Sequence, residues 1–247
     1  MHVFITGGTR GIGLGIVQEF LKEGHKVSYT GTSDSSIAKN IGLLSGDFNP
    51  VVCDVRHRND IVKAKDKALE VFGEIDVWIN NAGVDQERDT IDKLSEKEIH
   101  RVVDINIVGS MLGTSIALEL FKTQGFGIVY NFEGLGSNNM KIPKTIVYGT
   151  TKRALTYFSQ ACNKELKDYP NVAVGTIQPG MVFTELLLSN MDEEGMKIAK
   201  IIGDKVSNVA PFIVKYVLKK NLKIKYLTNL KIMFRFILSP FKKISID

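Results

Sequence analysis

Cysteine is almost missing. Cys53 and Cys162 are the only two, far apart and without Cys-x-x-Cys spacing, which excludes a disulfide framework and a thiolate metal site. Histidine is equally sparse: His2, His25, His57 and His100 lack the spacing that would build a zinc centre, so no metal is expected. Proline-rich and serine-rich linkers are absent, as is any internal repeat, and one domain is the simpler reading of 247 residues. The start, Met1-His2-Val3-Phe4-Ile5, has no basic n-region, long apolar h-region or small-residue cleavage site. Together with two unpaired thiols, this sets the expectation of a cytoplasmic protein.

What is present fits an ordinary globular protein, with 44% hydrophobic and 24% charged residues, enough for a substantial core. The net charge of +5 is unevenly spread: residues 205–247 hold ten Lys or Arg against the single acid Asp247, and the remainder holds 22 basic and 26 acidic residues. The basicity therefore says little about the partners of the main body. Nucleic acid is not an expected partner, because no recognition motif accompanies the charge. The Lys63-Ala64-Lys65-Asp66-Lys67 run reads as a solvated helix face.

Short apolar runs alternate with longer amphipathic ones. Strands are expected at His2 to Thr6, Lys26 to Thr30, Pro50 to Cys53, Val77 to Asn80, Gly127 to Asn131 and Ala173 to Gln178. Helices are expected at Gly13 to Glu23, Asp60 to Phe72, Glu96 to Phe121 and Tyr148 to Lys167, where apolar residues recur at steps of three and four. This alternation implies an α/β protein, a three-layer doubly wound Rossmann fold with a parallel sheet. The stretch from Glu185 to Val209, after Pro179-Gly180, reads as an insertion that could lid the substrate site.

The first strand runs into Thr6-Gly7-Gly8-Thr9-Arg10-Gly11-Ile12-Gly13 and then a helix. Glycines allow a tight turn and close backbone approach to a pyrophosphate, and the helix start offers free N–H groups. The pattern Gly7-x-x-x-Gly11-x-Gly13 resembles that of the classical short-chain dehydrogenase/reductase family, and the resemblance continues in order along the chain. Asp54-Val55 resembles the family's adenine-contacting pair, and Asn80-Asn81-Ala82-Gly83 its Asn-Asn-Ala-Gly element. Asn106 matches the asparagine of the catalytic tetrad and Tyr148-x-x-x-Lys152 the Tyr-x-x-x-Lys pair. Pro179-Gly180-Met181-Val182-Phe183-Thr184 matches the segment that covers the nicotinamide. The resemblance implies cofactor contacts from Gly7, Thr9, Arg10, Gly11, Ile12, Gly13, Asp54, Val55, Asn81, Ala82, Gly83, Tyr148, Lys152, Pro179, Gly180, Val182 and Thr184.

NAD enzymes place an acid at the end of the second strand to bond the ribose 2′-hydroxyl. Here that region reads Tyr29-Thr30-Gly31-Thr32-Ser33, so Thr32 and Ser33 with the Arg10 cation point to NADP(H), with NAD(H) second. Asp34 is the one nearby acid that a small shift of the turn could bring to the ribose. Residues 1–228 are thus expected to form an NADP-binding Rossmann domain including the lid around 185–209, and residues 229–247 a basic C-terminal helix or tail.

One helical turn separates Tyr148 from Lys152, so the ammonium can sit near the phenol and lower its pKa. Tyr148 would then pass a proton to or from the substrate oxygen, and the resemblance implies that Lys152 also holds the nicotinamide ribose and that Asn106 fixes a water chain behind the lysine. The family normally ends its fifth strand in a serine that binds the substrate oxygen. Here Asn131-Phe132-Glu133-Gly134-Leu135-Gly136-Ser137 follows, which puts Glu133 at that place, with two extra residues before Tyr148 and Ser137 as the nearby hydroxyl. A protonated Glu133 could donate to a carbonyl as the serine does.

That departure, with Glu185-Leu186-Leu187-Leu188 after the Pro-Gly segment, resembles the chlorophyll(ide) b reductase branch and its bacterial relatives, the plant members of which reduce a ring formyl group. The implied activity is NADP(H)-dependent interconversion of an aldehyde or ketone with an alcohol, on a small-molecule substrate and in a homo-oligomer. The alternative is a dinucleotide-binding sensor or scaffold that lost the serine. The C-terminal run Ile232 to Leu238, interrupted by Arg235, falls far short of the roughly 20 residues of a bilayer span. It can pack on its own domain or a partner subunit, or lie on an anionic membrane surface.

Overall fold

The computed structural model describes residues 1–189 and 191–239. Asn190 of the expected lid and residues 240–247 of the expected tail lie outside the described residues.

The strands are β1 (His2–Thr6), β2 (Lys26–Gly31), β3 (Phe48–Val52), β4 (Val77–Asn80), β5 (Gly127–Phe132), β6 (Val172–Gln178), β7 (Val182–Phe183), β8 (Asp204–Lys205) and β9 (Lys223–Lys225). Seven of them form one parallel sheet in the order β3-β2-β1-β4-β5-β6-β9, while β7 and β8 pair separately. The helices are α1 (Gly11–Lys22), α2 (Asp34–Ile41), α3 (Arg58–Phe72), α4 (Glu96–Val103), α5 (Ser110–Gln124), α6 (Ile146–Lys164), α7 (Glu185–Leu188), α8 (Glu193–Ile202), α9 (Val206–Leu218) and α10 (Asn229–Leu238). The expected three-layer architecture is present, a Rossmann fold built as a single domain.

Successive side chains of a strand point to opposite faces, and both faces here are covered, so the central strands are apolar throughout. Val3, Ile5, Val77 and Ile79 face a core closed by Ile16 and Phe20 of α1 and Val209 and Ile213 of α9. Phe4, Trp78 and Val129 face a second core closed by Ile61 of α3, Ile116 and Phe121 of α5 and Cys162 of α6. The strand order reverses between β1 and β4, and the register Ile5↔Ile79, Thr6↔Asn80 delivers Gly7 and Asn81 side by side. In such sheets ligands bind at the carboxyl ends of the strands, at this reversal.

The single helix expected from Glu96 to Phe121 is instead α4 and α5 joined by a π-helical segment, Asp104–Gly109. The expected insertion ends earlier than Val209. It lies between β7 and β8 and contains α7 and α8, and Val206 already starts α9.

Candidate active site

Thr6, Asn81 and Ala82 fasten the glycine loop to the end of β4. Asn81 N–H and Ala82 N–H both donate to Thr6 Oγ1 at 3.1 Å. The Asn81 side-chain amide donates to the carbonyls of Thr6 (3.0 Å) and Gly7 (2.8 Å), so it holds the loop and has no donor left over for a dinucleotide. Gly7 has φ +67°, and a Cβ on Gly13 would lie 2.2 Å from the Gly7 carbonyl oxygen. Only this backbone permits the turn. It delivers the start of α1, where Arg10 provides no side-chain cap and no acid occupies the first turn. Amides at such a start, together with the helix dipole, suit the pyrophosphate of a dinucleotide.

Around the loop, Ile12 packs against the first core and the Thr9 carbonyl accepts from Asn40 Nδ2 of α2 at 2.5 Å. Thr32 is exposed, and Ser33 caps α2 by accepting from Ser36 N–H at 3.2 Å. Asp34 follows the cap as the first residue of α2. Arg10 lies 3.2 Å from Glu185 of α7, both side chains largely exposed. Asp54 is gripped by Arg56, whose Nε donates to both carboxylate oxygens at 3.0 Å, which holds the Asp54 carboxyl below the usual range. Val55 is buried in the second core.

α6 begins two residues before Tyr148, not at it, so the Tyr148 N–H is one of the helix's unpaired first amides. The fully buried Gln86 satisfies it, Oε1 accepting at 2.8 Å. Sequence reasoning missed Gln86, because nothing local marks a contact spanning 62 residues. Lys152, one turn on, is buried, donates from Nζ to the Phe132 carbonyl at 3.3 Å and lies 5.6 Å from the centroid of the Tyr148 ring. The Tyr148 hydroxyl lies against Gly134, where any Cβ would come within 2.7 Å of it.

The electrostatics differ from the expectation that Lys152 would acidify Tyr148. Burial pushes the Tyr148 phenol well above its ordinary value, and the nearby Asp85 carboxylate adds to the rise while Arg88 opposes it. Burial also pushes Lys152 down to about 8, against the pull of Asp85 and Glu133. Desolvation outweighs the pairwise attraction in both groups. Asp85 is itself buried and accepts from Arg88 Nη2 at 2.6 Å.

Asn106 sits in the π-helical segment, fully buried. Its Oδ1 accepts from Val84 N–H and its Nδ2 donates to the Val84 carbonyl, both at 2.9 Å, with a further bond to Thr151 Oγ1 at 3.2 Å. It thereby clamps the loop after β4 to α6. A Cβ on Gly83 would lie 3.3 Å from Asn106 Oδ1 and 3.5 Å from Lys152 Nζ, which puts these groups around one glycine. Beneath them runs a buried polar network that sequence reasoning did not single out: Asn80 Nδ2 donates to Asn131 Oδ1 at 2.9 Å, and Asn131 Nδ2 to Ser159 Oγ at 3.0 Å.

At the end of β5, Glu133 is buried with Oε1 accepting from the Thr156 hydroxyl at 2.9 Å, on the same helix as Lys152. The Ser137 hydroxyl donates to the Gly134 carbonyl at 2.7 Å and accepts from Gln178 Nε2 at 2.9 Å. Neither bonds to the Tyr148 hydroxyl.

Pro179 and Val182 are buried, and Gly180, at φ +78°, packs so closely on Leu227 that a Cβ would lie 2.7 Å from it. Thr184 caps α7, and its methyl would meet a Cβ on Gly11 at 3.3 Å, so the start of α7 rests on the glycine loop.

Residues 1–195 match the family model described as short chain dehydrogenase. The chain is 32% identical over 234 residues to the probable chlorophyll(ide) b reductase NYC1 of Arabidopsis thaliana, covering 86% of this chain and 47% of that protein. It is 31% identical over 223 residues to the chlorophyll(ide) b reductase NOL of Oryza sativa subsp. japonica, covering 86% and 65%. It thus spans about half to two thirds of the length of these relatives. The closed form of serine dehydrogenase complexed with NADP+ superposes with a TM-score of 0.81 at 24% identity, covering 92% of this chain and 95% of that one.

Proposed function

Because this chain belongs to the short-chain dehydrogenase family, we propose that it is an NADP(H)-dependent oxidoreductase interconverting a carbonyl compound and an alcohol, with Tyr148 as proton donor and acceptor. The observation that carries this is the placement of the Tyr148 hydroxyl and the Lys152 ammonium about Gly134 and Gly83, beside the loop that suits a pyrophosphate. A bound nicotinamide would supply the hydride. NADP(H) is favoured because no acid ends β2, the glycine loop carries the Arg10 cation, and a structurally similar enzyme is complexed with NADP+.

The chain's own groups define the proton path. A phenol kept protonated by burial is an acid, so Tyr148 donates to the carbonyl oxygen of the substrate in reduction. Lys152, at about 8, is largely protonated at neutral pH and stands close enough to stabilise the phenolate left behind. Asn106 and Gln86 hold the two ends of this arrangement. Glu133 accepts from the Thr156 hydroxyl, and its carboxylate favours the charged form of Lys152. The reading includes a small-molecule substrate, a homo-oligomer and a cytoplasmic setting.

A second reading, a dinucleotide-binding sensor, draws on Ser137, whose hydroxyl is engaged on both sides. NADPH consumption against a panel of aldehydes and ketones separates the two. Tyr148→Phe should lose at least about 100-fold in turnover while NADPH binding persists. Identical traces for wild type and variant would overturn the proposed chemistry.

A further inference from the structure

α10 packs on the body through Ile232 and an inward arginine, and leaves most of its apolar residues on the outside. Its arginine points inward: Arg235 Nη1 donates to the carbonyls of Ile202 (2.7 Å) and Gly203 (2.8 Å) at the C-terminal end of α8, and Nη2 to Asp204. Leu230, Met233, Phe234 and Ile237, at i, i+3, i+4 and i+7, are 60%, 50%, 52% and 59% exposed and form a stripe on the outer side. A helix that only packs on its own domain shows the opposite arrangement. Contiguous exposed apolar side chains mark an interaction surface.

Beside the start of α10 runs a cleft of about 380 Å³ whose lining includes Lys223, Lys225 and Lys231, the aromatic rings of Phe212, Tyr216 and Tyr226, and no acid. The wider segment, 205–247, carries its ten basic residues against one acid. The acids of α8, Glu193 and Glu194, stand in its first turn, at the opposite end from the carbonyls that Arg235 binds. A ten-residue helix is about 15 Å long, half of what a bilayer core demands. An apolar stripe flanked by lysines, on a helix too short to cross, suits a helix lying flat at the surface of an anionic bilayer, with lysines among the phosphates. A second copy of this chain docking symmetrically through the same stripe would bring two lysine clefts together, which repels.

We propose that α10 and the adjoining lysine cleft dock this protein on the surface of an anionic lipid bilayer. The full chain should float with phosphatidylglycerol-containing vesicles at low salt, at least tenfold more than with pure phosphatidylcholine, and the difference should shrink as salt is raised. Met233→Glu with Ile237→Glu removes the apolar stripe, and Lys223→Glu with Lys225→Glu reverses the cleft. Met233, Ile237 and Lys223 are exposed and Lys225 is half-buried, and an unchanged thermal melt shows that each variant is folded. Each folded variant should lose at least tenfold in vesicle binding. Absence of the wild-type protein from the floated fraction would overturn the proposal. So would stripe variants that keep full vesicle binding, or that lower the oligomeric state on a sizing column while wild type ignores the vesicles, which would make the stripe a subunit contact.

Discussion

At the residue scale, Gly134 shows how a single position sets where the proposed proton donor stands. With hydrogen in place of a side chain, it lets the Tyr148 hydroxyl rest against the backbone after β5, where a methyl would sit 2.7 Å away. Gly134→Ala should therefore displace the phenol rather than unfold the protein. Turnover is expected to fall about 100-fold, the scale of a misplacement of about 1 Å, with the Kd for NADPH unchanged, and steady-state kinetics paired with a fluorescence titration would check it. An unchanged kcat would mean that the hydroxyl works from elsewhere. The residues of this site were partly legible in advance. Tyr148, Lys152 and Asn106 carry a recognisable spacing, but Gln86 and Asp85 do not, because their roles arise from contacts between distant segments. The expected acidification of Tyr148 by Lys152 failed for a related reason: charge proximity can be read from helix spacing, whereas the depth of burial that raises the phenol and lowers the lysine cannot.

At the scale of elements, the central strands were readable because both faces are buried and their apolar runs stand out, as in Val77-Trp78-Ile79. β1 and β4 have the expected bounds. The π-helical turn that carries Asn106 was not readable, since apolar periodicity continues through it, and such turns gather at functional sites. α2 escaped notice because it is short and polar, held by the Ser33 cap more than by an apolar face. α10 is held in part by one carboxylate, Asp204. Burial pushes Asp204 up, but hydrogen bonds from Asn208, Tyr226 and Arg235 together outweigh it and hold it at about 2. A depressed carboxyl stabilises the fold above its unfolded value, about 3.9, and loses that contribution as pH falls toward the folded one. Asp204→Asn should thus be less stable than wild type by about 2 kcal/mol at neutral pH. The gap in urea midpoints should stay constant down to about pH 4 and narrow below it; a gap that ignores pH would show that the carboxylate charge is not what holds α10.

For the whole molecule, the dinucleotide cleft and the folding of the domain are the same problem, since hydrogen bonds join the glycine loop to the ends of β1 and β4, and Thr184 packs against the loop. A ligand at about 100 times its Kd stabilises the native state by about 2.7 kcal/mol, which for a chain of this size corresponds to roughly 5–10 °C in Tm. NADPH should produce that shift and NADH a smaller one at equal concentration, and Arg10→Ala should shrink the difference between them. Equal shifts from both nucleotides in wild type would remove the case for NADPH preference.

Asp204 belongs at once to the small two-stranded clasp at the root of the lid and to the socket that receives Arg235. Withdrawing that guanidinium leaves a part-buried anion short of a counter-charge beside the β7–β8 pair. One carboxylate thus joins α10 to the β7–β8 pair, and a change at either one alters the charge that the other meets.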